Sequence, residues 1–339
     1  MRVSEFDYNL PKEMIAQYPP DERAASRLLV LDRATGAIGH HLFADLPLYL
    51  REDDVLVVND SKVFPARLPA RKVSGGRLEV LLVKPLGGGS WECLVRGIKK
   101  GVCDLPLVIG DFPVRLARDN GSWVIEFNSE EDADEALRKY GKMPLPPYIK
   151  RNGGDEEVDI DRYQTVYAAK TGSIAAPTAG FHFSEDLLER IRAKGVTIVT
   201  VTLHVGIGTF SLIRKDKLEE HRMEGESYEL DEASRSIIER AKSAGCRIVA
   251  CGTSVVRTLE TVFSSTGHGH NRGEAGLFIY PGYRFEVVDA LITNFHLPRS
   301  TPLMLAAAFA GKEALLGAYQ KAVGEGYRFY SYGDAMFII

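Results

Sequence analysis

The sequence predicts an α/β protein in which a mixed, largely parallel sheet domain is assembled from both ends of the chain, with a small all-β barrel domain inserted between them. Three observations carry this. Helix and strand patterns alternate after Asp161, the signature of a parallel sheet. Two apolar runs near the N-terminus, LLVLDR (Leu28–Arg33) and DVLVVND (Asp54–Asp60), read as buried strands that join that sheet. From Arg67 to Phe127 the chain shows only short alternating runs separated by Gly, Pro, Asn and Asp turns, with no helix-length segment. The boundaries this implies are 1–66 plus 150–339 for the discontinuous α/β domain and 67–149 for the barrel.

Each element has a local reason. LLVLDR ends in the turn Ala34-Thr35-Gly36, and the barrel strands are RLEVLLVK, WECLVRGI, PVRLA and WVIEF. The acidic stretch Ser129–Gly141 is expected to form one helix, and MPLPPYIKR (Met143–Arg151) a proline-restricted extended connector. In SEDLLERIRAKG, Ser184 is the N-cap, acids fill the first turn, and Gly195 follows basic residues at the C-terminus. The strand VTIVTVTLHV, the helix ELDEASRSIIERAKSAG and the strand CRIVACGT follow. LFIY and VVDALITNF read as two further strands, STPLMLAAAFAGKEALLGAYQKAVG as one helix, and YRFYSYGDAMFII as the tail. The apolar segment STPLMLAAAFA has 11 residues, too few for a bilayer and suited to a buried core helix.

The bulk numbers narrow the function classes. At 339 residues, 45% hydrophobic and 26% charged, the chain has material for more than one core. Its first residues, MRVSEFDYNLPKEM, lack an apolar leader, so a cytoplasmic location is expected. Cys93, Cys103, Cys246 and Cys251 form no CxxC pair and are expected to be reduced thiols, with no metal site. The formal net charge of −4 is unevenly spread: residues 62–118 hold eleven Lys or Arg against four acids, a surplus of seven positive charges, which leaves −11 for the remainder. A basic module on an acidic body suits a polyanion, although a solvated charged face gives the same pattern. The basic residues expected to meet RNA are Arg67, Arg71, Lys72, Arg96, Lys99 and Lys100.

Several strings carry chemistry. AAPTAGFHF and VTLHVGIGTF each set one histidine, His182 and His204, among small turning residues, and His296 follows the strand LITNF. With His221, these histidines sit near loops or strand ends; their wide spacing fits general acid/base work rather than zinc. Asn294 and His296 share one face at a strand end. The string IVACGTSVVRTLE is a strand, a Gly252-Thr253-Ser254 turn and a helix, where backbone N–H groups could receive an anion or simply cap the helix. Arg257, one turn in, could pair with a carboxylate or phosphate, or with a structural acid. Asp334 beside Tyr330 and Tyr332 suits a cationic ligand, and RYQTVYA (Arg162–Ala168) could stack on a base or fill a core. There is no GxGxxG and no GxxxxGK[ST], so neither a dinucleotide site nor a P-loop is supported.

Taken together, AAPTAGFHF, VTLHVGIGTF, MPLPPYI, RYQTVYA, TNFHLPRST and YRFYSYGDAM resemble the S-adenosylmethionine:tRNA ribosyltransferase-isomerases of queuosine biosynthesis. The resemblance extends from SEFDYNLPKEMIAQYP through VVNDSKVFPARL and YPGYRFEVVDALITNF to the last residues. It implies an α/β domain with an inserted barrel and a monomeric cytoplasmic enzyme. The implied reaction moves and isomerises the ribosyl part of S-adenosylmethionine onto 7-aminomethyl-7-deazaguanine at the tRNA wobble position. Epoxyqueuosine forms, adenine and methionine leave, and S-adenosylmethionine is a consumed co-substrate with no resident cofactor.

On the matching motifs, the resemblance implies catalytic histidines at His182, His204 and His296, with His182 or His204 as the base and His296 donating to adenine or orienting the sugar. It implies substrate contacts at Thr178, Thr209, Thr253, Arg257, Asn294, Tyr332 and Asp334. Three positions depart from the usual pattern: Glu224 after Met223, Gly-Thr-Ser for Gly-Thr-Thr, and Phe181 in AAPTAGFHF. Two other readings remain: a non-catalytic tRNA-binding protein, and a methyltransferase, which lacks support because no glycine-rich loop follows an N-terminal strand.

Overall fold

The computed structural model describes residues 1–99, 101–151, 156–206, 208, 213–265 and 269–339. Lys100 and Thr209 lie outside these residues. Along the chain come β1 (Arg27–Leu31), β2 (Ile38–Leu42), β3 (Val55–Asn59) and β4 (Ser61–Val63). The next six strands are β5 (Arg67–Lys72), β6 (Arg77–Gly87), β7 (Ser90–Arg96), β8 (Asp104–Ile109), β9 (Phe112–Asp119) and β10 (Ser122–Glu126). Then follow α1 (Glu130–Tyr140), α2 (Glu156–Arg162), β11 (Lys170–Ser173), α3 (Glu185–Ala193), β12 (Thr197–Leu203) and β13 (Glu226–Glu229). The remainder is α4 (Glu232–Ala244), β14 (Ile248–Cys251), α5 (Thr253–Phe263), β15 (Arg272–Ala275), β16 (Ala290–Asn294), α6 (Thr301–Ala310), α7 (Lys312–Gly324) and β17 (Ala335–Ile338).

The chain divides into two compact units: Met1–Lys62, Pro147–Lys150 and Arg162–Ile339 in one, Val63–Pro146 and Arg151–Asp161 in the other. In the larger unit, nine of the described strands form one mixed sheet in the order β15-β13-β12-β3-β14-β16-β17-β1-β2. Both N-terminal runs, as β1 and β3, therefore join the C-terminal strands. Parallel pairing holds at the centre, β12-β3-β14-β16, and between β17 and β1. The flanks and the β16–β17 step are antiparallel. In the smaller unit β5–β10 close an antiparallel barrel.

The apolar runs are explained by burial on both faces. Leu29, Leu31 and Val57 belong to one core with residues of α5 and α6, while Leu28, Val30, Leu56 and Val58 belong to another with residues of α3. Alternate side chains point to opposite faces of a strand, so a strand covered twice has no polar position to spare. Caps set the helices as expected. The Ser129, Ser184 and Asp231 side chains accept from Asp132, Leu187 and Ser234 N–H groups, and Gly245 ends α4 at φ +75°.

Two expectations differ from the fold. LFIY is not a strand: β15 lies earlier, and the Leu277 carbonyl accepts from Arg257 Nε at 3.1 Å, so this backbone is anchored on a side chain instead of a neighbouring strand. The long C-terminal helix is two helices, because Gly311 at φ +86° breaks it between α6 and α7.

Asp54, fully buried at the entry to β3, accepts from Arg247 Nε at 3.0 Å and Nη2 at 2.6 Å, and from the Arg51 N–H at 2.8 Å. This pair ties the starts of β3 and β14. Removing one partner strands a buried charge. Asp54→Ala should therefore destabilise the larger unit by about 3 kcal/mol, read as a lower urea midpoint of the helical circular-dichroism signal; an unchanged midpoint would show the pair to be dispensable.

Candidate active site

The carboxyl ends of β14 and β16 meet the loop after β12 around a cavity of about 950 Å³, its open mouth included. Strand ends in open α/β sheets are where ligands bind. Thr178, Thr253, Arg257, Asn294 and His296, five of the residues picked out by sequence, line this cavity. His182, His204, Tyr332 and Asp334 do not.

One wall is the first turn of α5. Gly252 caps it at φ +96°, a conformation that favours glycine, and Thr253 and Ser254 follow on the cavity lining. The first N–H groups of a helix lack intrahelical acceptors and favour an anion. Ser300, capping α6, and Thr301 line the same cavity. Arg257 is committed to protein: its guanidinium donates to the Glu226 carboxylate, to the Ala275 carbonyl and to the Leu277 carbonyl. Both charges are buried, at 6% and 7% exposure, and Glu226 Oε1 also accepts from the Gly206 N–H at 2.7 Å. The pair braces α5, β13 and the segment after β15 instead of presenting an open fork.

A second wall centres on Asn294. Its Nδ2 donates to the Tyr330 carbonyl at 3.2 Å and lies 3.2 Å from His182 Nε2, while its Oδ1 accepts from the Thr178 hydroxyl at 3.0 Å. His182 Nδ1 is 2.7 Å from Ser26 Oγ. Thus His182 stands behind the cavity with both ring nitrogens engaged. Burial, then the nearby Arg328 and Arg23 charges, pushes its pKa down to about 3.

His296 belongs to the wall itself. Its Nε2 is 2.8 Å from Thr293 Oγ1, its N–H donates to Tyr319 Oη at 2.9 Å, and its carbonyl accepts from Tyr8 Oη. Burial pushes its pKa down to about 3, so the ring is neutral at pH 7. His204 is half-buried against Gly172, where a Cβ would come within 2.6 Å of the imidazole Cε1. Burial lowers its pKa, opposed by Asp60. His221 meets Phe278 edge-on at 4.8 Å, and burial lowers its pKa.

Asp334 is structural, because Oδ1 accepts from the Arg27 N–H at 2.9 Å and Oδ2 from the Arg328 N–H at 2.7 Å. Burial raises its pKa. Tyr332 packs against Tyr163 and Phe181, so the first tyrosine of RYQTVYA fills core. Two cavity aromatics, Tyr148 and Tyr330, have ring centroids 4.6 Å apart. Tyr148 sits in MPLPPYI, expected as an extended connector and one of the strings that carry the resemblance, with no site role expected of it. A clue to Glu226 lay in the acid-rich HRMEGE segment, but nothing local pairs it with Arg257.

In the smaller unit, register aligns Arg71 with Arg77 and Glu79 with Arg96 across β5, β6 and β7. Arg71, Arg96 and Lys99 are exposed and Lys72 half-buried. Arg67 donates to the Leu145 carbonyl at 2.7 Å, and Glu79 lies 3.6 Å from Arg96. Among the described residues, no group of three or more His, Cys, Asp or Glu side chains is placed to hold a metal, and no helix is long and apolar enough to cross a membrane.

A family profile described as "Queuosine biosynthesis protein" matches residues 3–338. A Moorella thermoacetica protein named S-adenosylmethionine:tRNA ribosyltransferase-isomerase is 50% identical over the full length of both chains. Proteins of the same name from Citrifermentans bemidjiense and Trichlorobacter lovleyi are 50% and 47% identical, again covering both chains completely. The crystal structure of an S-adenosylmethionine tRNA ribosyltransferase from Thermotoga maritima matches 99% of this chain and 100% of its own, with 39% identity and a TM-score of 0.58.

Proposed function

This chain belongs to the queuosine biosynthesis family, with the S-adenosylmethionine:tRNA ribosyltransferase-isomerases, and from that premise we infer that it is a transferase acting on S-adenosylmethionine and tRNA. It moves and isomerises the ribosyl moiety onto 7-aminomethyl-7-deazaguanine at the anticodon wobble position. The products are epoxyqueuosine-tRNA, adenine and methionine. S-adenosylmethionine is consumed as a co-substrate without a resident cofactor, and the enzyme works as a cytoplasmic monomer.

The sulfonium acidifies the neighbouring 5′ carbon, so a base must take that proton. Rearrangement of the ring then expels adenine, which leaves with a proton, and forms the epoxide as the C–S bond breaks and methionine leaves, while the amine of the modified base attacks the sugar. Such chemistry needs a proton acceptor and a cavity that excludes water. His296 serves as the acceptor. The observation that carries this is its imidazole on the cavity wall, with Nε2 2.8 Å from Thr293 Oγ1: with the ring proton on Nε2 and given to Thr293, Nδ1 is the atom that accepts. The first turn of α5, with Thr253, receives the methionine carboxylate. The faces of Tyr148 and Tyr330 suit the sulfonium. RNA phosphates meet the outer face of β5–β7 at Arg71, Arg77 and Arg96, where basic side chains share one side of three adjacent strands.

Mass spectrometry of a reaction with S-adenosylmethionine and tRNA bearing 7-aminomethyl-7-deazaguanine tests the reading. Free adenine with epoxyqueuosine is expected; folded protein that yields neither would leave only RNA binding. His296→Gln should lower kcat by about 10²- to 10⁴-fold, the usual contribution of a general base. A base is active unprotonated and is lost only as pH falls through its pKa. With that pKa near 3, kcat/KM of the wild type should show no break at pH 6.5.

Phosphate contacts make affinity fall with salt, with a slope of about −0.7 to −0.9 per phosphate neutralised. Replacing Arg71 and Arg96 together by Ala should weaken tRNA binding and flatten that slope. An unchanged slope would move the RNA surface elsewhere.

A further inference from the structure

We infer that His182 is a positioning residue: its Nε2 lone pair fixes the direction of the Asn294 amide, and through Asn294 it sets the Thr178 hydroxyl and the Tyr330 backbone in the cavity wall. The inference deepens the proposed function, because the cavity it shapes is the one assigned to S-adenosylmethionine.

The argument is one of donors and acceptors. A backbone carbonyl can only accept, so the Asn294 atom 3.2 Å from the Tyr330 oxygen must be Nδ2. That leaves Oδ1 for the Thr178 hydroxyl at 3.0 Å. Nδ2 has a second hydrogen, and the group 3.2 Å away is His182 Nε2. Nε2 must therefore accept, and the ring's one proton sits on Nδ1. From there it is donated to Ser26 Oγ at 2.7 Å, and the Ser26 hydroxyl in turn donates to the Arg23 carbonyl at 3.3 Å.

Every link from the Arg23 carbonyl to the cavity thus has one direction. A proton arriving at Nε2 would set N–H against N–H and release Asn294. The ring is 2% exposed, with its centroid 5.0 Å from that of Phe43; it does not line the cavity, whereas Asn294 does.

What Asn294 holds is unusual. Tyr330 has φ +72°, a left-handed conformation that side chains other than glycine rarely adopt. Its carbonyl accepts from Asn294 Nδ2 and from the Gly333 N–H at 3.0 Å, and its own N–H donates to the Phe295 carbonyl at 3.0 Å. Loss of the His182 acceptor frees the amide to turn, and a turned amide sets an oxygen against the Tyr330 carbonyl.

Two replacements separate this role from that of a base. In His182→Gln the side-chain carbonyl can still accept from Asn294 but offers no basic nitrogen; His182→Leu offers neither. The inference predicts that His182→Leu raises KM for S-adenosylmethionine about tenfold, the worth of one buried hydrogen bond. It predicts that His182→Gln recovers KM and kcat to within about threefold of wild type with the same pH profile. A His182→Gln enzyme with kcat down more than a hundredfold, or with KM raised as far as in His182→Leu, would overturn it.

Proton–nitrogen NMR of the wild-type protein, with ¹⁵N-labelled histidine and the ring identified by its contact with Phe43, decides the matter without turnover. A neutral Nδ1–H ring that does not titrate between pH 8 and pH 5 is expected. An Nε2–H ring, or titration near pH 6.5, would overturn the inference. Failure of the wild type to release adenine would instead count against the proposed function and leave the NMR result standing.

Discussion

The parallel centre of the sheet is buried on both faces, and the placement of everything else follows from this. Val55, Leu56, Val57 and Val58 of β3 are at most 4% exposed, and Ile248 to Cys251 of β14 at most 1%. Strands so covered have no side chain to give to a ligand. Polar groups must gather where the strands end, and the turn after β14 and the end of β16 do so around one cavity. The chain's backbone accounts for the shape of that cavity as much as its side chains do: Gly252 turns the strand into α5, and Tyr330 turns the tail beside it.

Charge in this cavity is managed by pairing and by neutrality. Arg257 and Glu226 satisfy each other and the carbonyls of the segment after β15, so the larger part of the cost of burying both is offset inside the protein. Burial keeps His296 and His182 in their neutral forms. A positively charged sulfonium entering such a site would meet aromatic faces and no competing histidine cation. The two imidazoles differ in what their neutrality does. His296 has a ring on the cavity wall, whereas His182 has both nitrogens tied to protein atoms.

The sequence was legible where structure is local. Ser184 and Asp231 announce their helices, and LLVLDR and DVLVVND announce strands covered on both sides. The barrel was visible as a change in periodicity. LFIY misled because a continuous apolar tetrapeptide looks the same whether a strand or an arginine takes its carbonyl.

His182 shows the limit most clearly. As a loop histidine among small residues it resembles a base, but its partners are Ser26 and Asn294, 156 and 112 positions away. The partner of Arg257 stayed open between a ligand anion and a structural acid, because Glu226, 31 residues upstream, gives no local sign of its pairing. Thr178, Asn294 and His296, singled out from their motifs, line the cavity, and so does Tyr148, for which no site role was expected from sequence.

The central claim is that the cavity at the ends of β14 and β16 holds S-adenosylmethionine with its 5′ carbon at His296. A crystal structure of this protein with S-adenosylmethionine bound tests it directly. The account predicts the methionine carboxylate at the first turn of α5, the sulfonium beside Tyr148 and Tyr330, and the 5′ carbon facing His296 Nδ1. A ligand seated outside this cavity, or one whose 5′ carbon lies against His204, would contradict it.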